Sequence, residues 1–216
     1  MGIMDKLNYY SQFKKENVYN RGAFNPGLFD LDKKKLKNLR PQIFNPLATT
    51  FGNRFNTASY ISVQLNDGDI QTAVVVSTEP LLVACYTDDM DAVALQCYPT
   101  ELGKKKGWTI GTRLIITCTY NGFGPVRRNK DLFEGPNSKK KFKSFGPIIA
   151  DLYATDMEYV ERKKREIPDD IWEKTFELGN EYMVKNPGMA RNGLDLCFKD
   201  AKKISDIKFN PKIKLD

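Results

Sequence analysis

The sequence predicts an α+β protein: a small antiparallel β-barrel, or a covered antiparallel sheet, of five to six strands, followed by a C-terminal helical hairpin. Three observations carry this expectation. Between residues 58 and 153, short runs rich in Val, Ile, Leu and Tyr alternate with turn residues. Several of those runs (AVVV, LLVAC, AVAL) are apolar at successive positions, so both faces need cover. After residue 155 the spacing of apolar residues becomes helical.

Residues 1–57 read as an N-terminal arm or packing segment. Ile3, Leu7 and Tyr10 recur at helical spacing, and Asp30 or Asp32 is placed to cap a short helix through KKKLKNLR that ends before Pro41. The Pro-, Asn- and aromatic-rich stretch PQIFNPLATTFGNRFN suits an irregular segment. The single-domain core is expected over 58–186. In Ala58–Leu65, Ile61, Val63 and Leu65 alternate with Ser62 and Gln64, which predicts a strand. Asn66-Asp67-Gly68-Asp69 would be its hairpin turn, because Asp-Gly tolerates positive φ. QTAVVVS, LLVACY, AVALQCY, GTRLIITCTY and SFGPIIADLY follow as strands, with TDDMD as a turn. Thr155 and Glu158 have capping-box spacing ahead of DMEYVERKKRE. Pro168 with Asp169 and Asp170 opens a second helix, whose apolar face draws on Ile171, Trp172, Phe176 and Tyr182. Residues 187–216 read as a basic C-terminal tail.

The net charge of +7 is unevenly spread. Residues 1–50 carry +5, 51–100 carry −5, 101–150 carry +8 and 151–216 carry −1. Such blocks imply surfaces of opposite sign. The sequence contains no histidine, which removes Ser-His-Asp and Cys-His catalysis and imidazole metal sites. Cys85, Cys97, Cys118 and Cys197 lack the CxxC spacing of metal sites. Gly122-Phe123-Gly124 lacks the third glycine of a dinucleotide fingerprint, and no GxxxxGK[ST] is present. The opening residues lack the apolar core of a signal peptide, and no run reaches the ~18 apolar residues of a membrane span. A cytoplasmic, non-enzymatic protein is expected, with no catalytic residues, no metal, no cofactor and no membrane partner.

The candidate site is loop 121–144, NGFGPVRRNKDLFEGPNSKKKFKS. It brings Arg127, Arg128, Lys130, Lys139, Lys140, Lys141 and Lys143 together with Phe123, Phe133 and Phe142. Loops this long are uncommon in compact domains and are usually either functional or disordered. The favoured partner is a protein engaging this loop and the flanking arms. The alternative is single-stranded nucleic acid, with cations on phosphates and Phe rings under bases. If successive loops alternate between the sheet ends, the loop shares one end with Asp67, Asp69, Asp88, Asp89 and Asp91, so it could instead neutralise its own scaffold. Lys104-Lys105-Lys106 and Trp108 fall at the other end. There the plain expectation is a wet lysine turn beside a tryptophan packed on the sheet edge.

Overall fold

A computed structural model describes residues 25–41, 53–123, 127–138, 141–195 and 200–215. The chain is a mixed α+β protein with five helices and a curled sheet among the described residues. The predicted helix at Ile3–Tyr10 lies outside those residues.

Helix α1 (Lys33–Leu39) starts where the sequence places it. The Asp32 carboxylate accepts from the amides of Lys34 and Lys35 at 2.8 and 3.1 Å, satisfying two orphan donors of the first turn. Helix α2 (Asn53–Asp67) corrects two expectations, an irregular stretch through Asn56 and a strand from Ala58. The alternation Ile61, Val63, Leu65 also fits i, i+4 spacing, and burial decides the matter. Tyr60, Ile61, Gln64 and Leu65 are buried as one helical stripe, whereas Val63 is 39% exposed.

The sheet follows: β1 (Asp69–Thr78), β2 (Leu81–Thr87), β3 (Ala92–Tyr98), helix α3 (Thr100–Lys106), β4 (Arg113–Phe123), β5 (Phe133–Glu134) and β6 (Phe142–Ile149). A 3₁₀ turn at Ala150–Leu152 leads to α4 (Met157–Glu166) and α5 (Asp169–Lys185). Strands β7 (Met189–Asn192) and β8 (Lys202–Lys203) lie in the stretch expected to be a basic tail. The order is β6-β4-β1-β2-β3-β7-β8, with β5 pairing β3 off this path. The sheet is mixed rather than purely antiparallel, because β7 runs parallel to β3. Nor is it a simple meander, since β4 pairs with β1.

Alternate residues of the central strands enter two cores. Val83 and Cys85 join the larger cluster inside the curl, while Leu82, Ala84 and Tyr86 pack beneath Leu178 and Tyr182 of α5. This two-sided burial is why β2 and β3 read as continuous apolar runs. Side chains bridge the outer edge of β6 to neighbouring elements. Arg191 of β7 donates to the Phe145 carbonyl (2.7 Å), Gln96 of β3 to Pro147 (3.2 Å) and Gln64 of α2 to Gly146 (2.6 Å). Pro147 has no amide to offer at that edge, which suits its position.

The predicted capping box at Thr155 is displaced by one residue. Asp156 is the N-cap of α4, accepting from the Tyr159 amide at 2.8 Å, and Thr155 donates to the Asp30 carbonyl instead. Helix α5 begins at Pro168 as expected, with Trp172, Leu178 and Tyr182 buried and Ile171 and Phe176 half-buried. It lies along β1, β2 and β3, whereas α4 sits against β4 and the 3₁₀ turn. Among the described residues no helix is long and apolar enough to cross a membrane.

Candidate functional site: an acidic loop anchor and a basic cleft

Strand β4 has one end at each of two charged regions. Its 11 residues span roughly 35 Å. At its C-terminal end is loop 121–144, beside the acidic turns that precede β1 and β3.

The loop is bound to its scaffold at several points. The Asp131 carboxylate takes a bidentate pair from Arg191, Nε to Oδ2 at 2.6 Å and Nη2 to Oδ1 at 3.2 Å, with both side chains almost fully buried. Arg191 also reaches Ser144 Oγ, and Asp131 accepts from the Ala201 amide. Asp91 accepts from Tyr86, Lys174 and the Asn137 amide, and its carbonyl accepts from the Gly135 amide. Burial opposes ionisation of Asp91, but those donors outweigh it and hold its pKa below the usual carboxylate value. Only glycine fits at position 135, because an added Cβ would lie 2.6 Å from the Asp91 carboxylate.

Of the sequence-predicted site residues, Arg127, Lys130 and Lys143 are exposed. Arg128 is not: its side chain is 6% exposed, with Nη2 on the Met90 carbonyl and Nε 3.3 Å from Glu134. Lys141 pairs with Asp89 at 3.3 Å and lies over the Phe142 ring, which stacks on Tyr120 at 4.5 Å. Phe133 sits in β5 under the Lys185 ammonium. The backbone of Phe123 pairs with Phe142 in β4 and β6. Lys139 and Lys140 lie outside the described residues. The loop therefore spends two of its rings and two of its cations on its own scaffold.

The acids at this end form a cluster, with one carboxylate oxygen each from Asp69, Asp88 and Asp89 within 4.8 Å of one another. Gln71 bridges Asp69 and Asp88 at 2.7 Å each, and Lys141 offsets Asp89. Burial, then the charges of Asp89 and Asp88, push the Asp69 pKa up to about 6, against the hydrogen bond from Gln71. A carboxyl group whose folded pKa is raised adds stability below its unfolded pKa of 3.8 and loses it as pH rises through about 6. Relative to Asp69→Asn, the parent should therefore lose up to about 3 kcal/mol between about pH 4 and pH 6.5. Urea unfolding of both proteins across that range measures it, and parallel pH profiles would contradict it.

At the other end of β4 lies a cleft of about 700 Å³. Helix α1 contributes Lys35. The last turn of α3 and the connection that follows contribute Lys106, Gly107, Trp108 and Thr112, and β4 contributes Arg113. Asp151 comes from the 3₁₀ turn, and Met157, Glu161, Lys164 and Arg165 come from α4. The α4 positions, spaced i, i+4, i+7 and i+8, fall on one helical face. The lysine run is thus in a short helix, not in the turn expected from the sequence. Its three lysines occupy the last turn, where the helix dipole favours cations. Gly107, at φ 64°, then ends the helix, its amide and that of Trp108 returning to the Lys104 and Gly103 carbonyls. Beyond this cap, Trp108 packs against the core and lines the cleft.

Five cations and two carboxylates line the cleft. Lys164 pairs with Asp151 at 2.5 Å and Glu161 at 2.7 Å, and Arg113 pairs with Asp169 at 2.6 Å. The Lys35 ammonium donates to the Ala154 carbonyl at 2.6 Å. Burial lowers the Lys35 pKa. Asp32 opposes that shift, and the neighbouring charge of Lys106 adds to it. Asp151 also raises that pKa, so Lys35 feels acids as well as the Lys106 charge, and both lysines line the cleft.

Among the described residues, the cysteines offer no reactive thiol to either region. Cys85, Cys97 and Cys118 are buried and free, and burial pushes their thiols up, that of Cys97 to about 11. Sequence reasoning noticed Lys106 and Trp108 but missed Lys35, Arg113, Lys164 and Arg165, which reach the cleft from separate segments. Comparison of the chain with protein-family models, with curated proteins and with solved structures finds no match.

Proposed function

We propose that the protein is a non-enzymatic binding module that takes a polyanionic ligand in the basic cleft. The observation that carries this reading is the lining of the cleft, where cations outnumber carboxylates five to two. An excess of one sign of charge on a concave surface favours a ligand of the opposite sign. The volume lies within the range of ordinary small-molecule sites. Trp108 and Met157 supply apolar wall between the charges.

A partner on loop 121–144, the surface favoured by the sequence, would have Arg127, Lys130 and Lys143 to engage. Acetylation of surface lysines with and without inorganic tripolyphosphate, read by mass spectrometry, separates the two surfaces. The cleft reading expects protection at Lys35 and Lys106 and none at Lys130 or Lys143. Protection confined to Lys130 and Lys143 would move the ligand to the loop, and protection nowhere would remove the anion site.

A further inference from the structure

We infer that the ligand class of this cleft is a nucleoside diphosphate, with its phosphates among Lys35, Lys106 and Arg165 and its base against Trp108. The inference rests on the anion-binding reading above and adds the base. Three features lead to it. The first is charge: the lining carries three more cations than carboxylates, and two more once Asp169, the partner of Arg113, is counted. That excess complements a diphosphate ester, whose terminal phosphate is nearly doubly ionised at neutral pH and which carries about three negative charges in all.

The second is the aromatic wall. Trp108 is half-buried, packed against the main core, and also lines the cleft. It follows the left-handed cap at Gly107, where a Cβ would meet nothing within 4 Å, so the backbone beside the indole is open. An indole fixed beside a cation cluster is the arrangement in which a planar base stacks while its phosphates are neutralised. The third is size. A space of about 700 Å³ is ample for a mononucleotide, and inorganic phosphate alone would leave most of it empty.

The sequence lacks the glycine-rich loops that cradle phosphates with backbone amides. Phosphate binding here would be by side-chain cations, and base recognition by stacking. Stacking tolerates every base, so adenine, guanine and uracil diphosphates should bind within several-fold of one another.

The test is a calorimetric comparison of ADP, inorganic pyrophosphate and adenosine on the full chain. ADP should bind at least ~10-fold more tightly than pyrophosphate, the contribution of one stacked base. Trp108→Leu should bring ADP down to the pyrophosphate level while leaving pyrophosphate unchanged. Because Trp108 packs on the core, its variant could lose structure, so the indole N–H signals of the parent supply an independent readout. ADP, and not pyrophosphate, should shift the Trp108 signal and leave that of buried Trp172 in place. Equal affinity for ADP and pyrophosphate, with no indole shift, overturns the nucleotide inference and leaves the anion site standing. Failure of both ligands to bind overturns the inference and the anion-binding reading together.

Discussion

Arg191→Ala should destabilise the protein by about 3–5 kcal/mol, the expected cost of breaking a buried ion pair by removing one partner. The guanidinium serves four acceptors at once: both Asp131 oxygens, the Phe145 carbonyl and Ser144 Oγ. Its loss would leave the Asp131 carboxylate buried, with the Ala201 amide as its remaining donor among the described residues. It would also release the β6 edge from β7 and unpin loop 121–144 where it meets the sheet. Domains of this size are stable by only about 5–15 kcal/mol, so the variant should unfold at a much lower urea concentration. Removing Asp131 as well should recover part of the loss, because no unpaired charge then remains. Urea unfolding of Arg191→Ala, Asp131→Ala and the double variant measures this coupling. A loss below about 1 kcal/mol, or strictly additive effects, would show that the pair does not hold the loop.

Local chemistry was legible in the sequence wherever one segment decided its own structure. Asp32 capping α1, Pro168 opening α5, and the apolar runs of β2 and β3 all follow from neighbours in the chain. Helix α2 was misread because three alternating apolar residues satisfy both periods, and only packing under Tyr60 and Gln64 selects the helix. Strand β7 escaped notice because it has four residues, and its place beside β3 depends on Arg191 finding Asp131 60 positions away. The candidate site divides in the same way. The charge run of loop 121–144 is conspicuous as a string, yet the fold commits Arg128, Lys141, Phe133 and Phe142 to local contacts. The basic cleft is built from α1, α3, β4 and α4, whose cations never stand together in the sequence. Its one local trace was Lys106 beside Trp108.

The second large effect belongs to that cleft. Replacing Lys35, Lys106 and Arg165 together by alanine should weaken polyanion binding by about 100-fold, since each lost charge–phosphate contact in a partly desolvated site contributes about 1 kcal/mol. Stability should fall by no more than about 1 kcal/mol: Lys106 and Arg165 are exposed, and the loss comes from the hydrogen bond that Lys35 gives to the Ala154 carbonyl. Affinity of the parent should fall as salt rises, because screening weakens a charge-matched complex.

The measurement that tests the cleft most directly is calorimetric titration of inorganic tripolyphosphate into the parent, the cleft triple variant and Arg127→Ala/Lys130→Ala/Lys143→Ala. The cleft assignment predicts binding to the parent, unchanged binding to the loop variant, and a loss of about two orders of magnitude in the cleft variant. A parent that does not bind, or a cleft variant that binds as tightly as the parent, would contradict it.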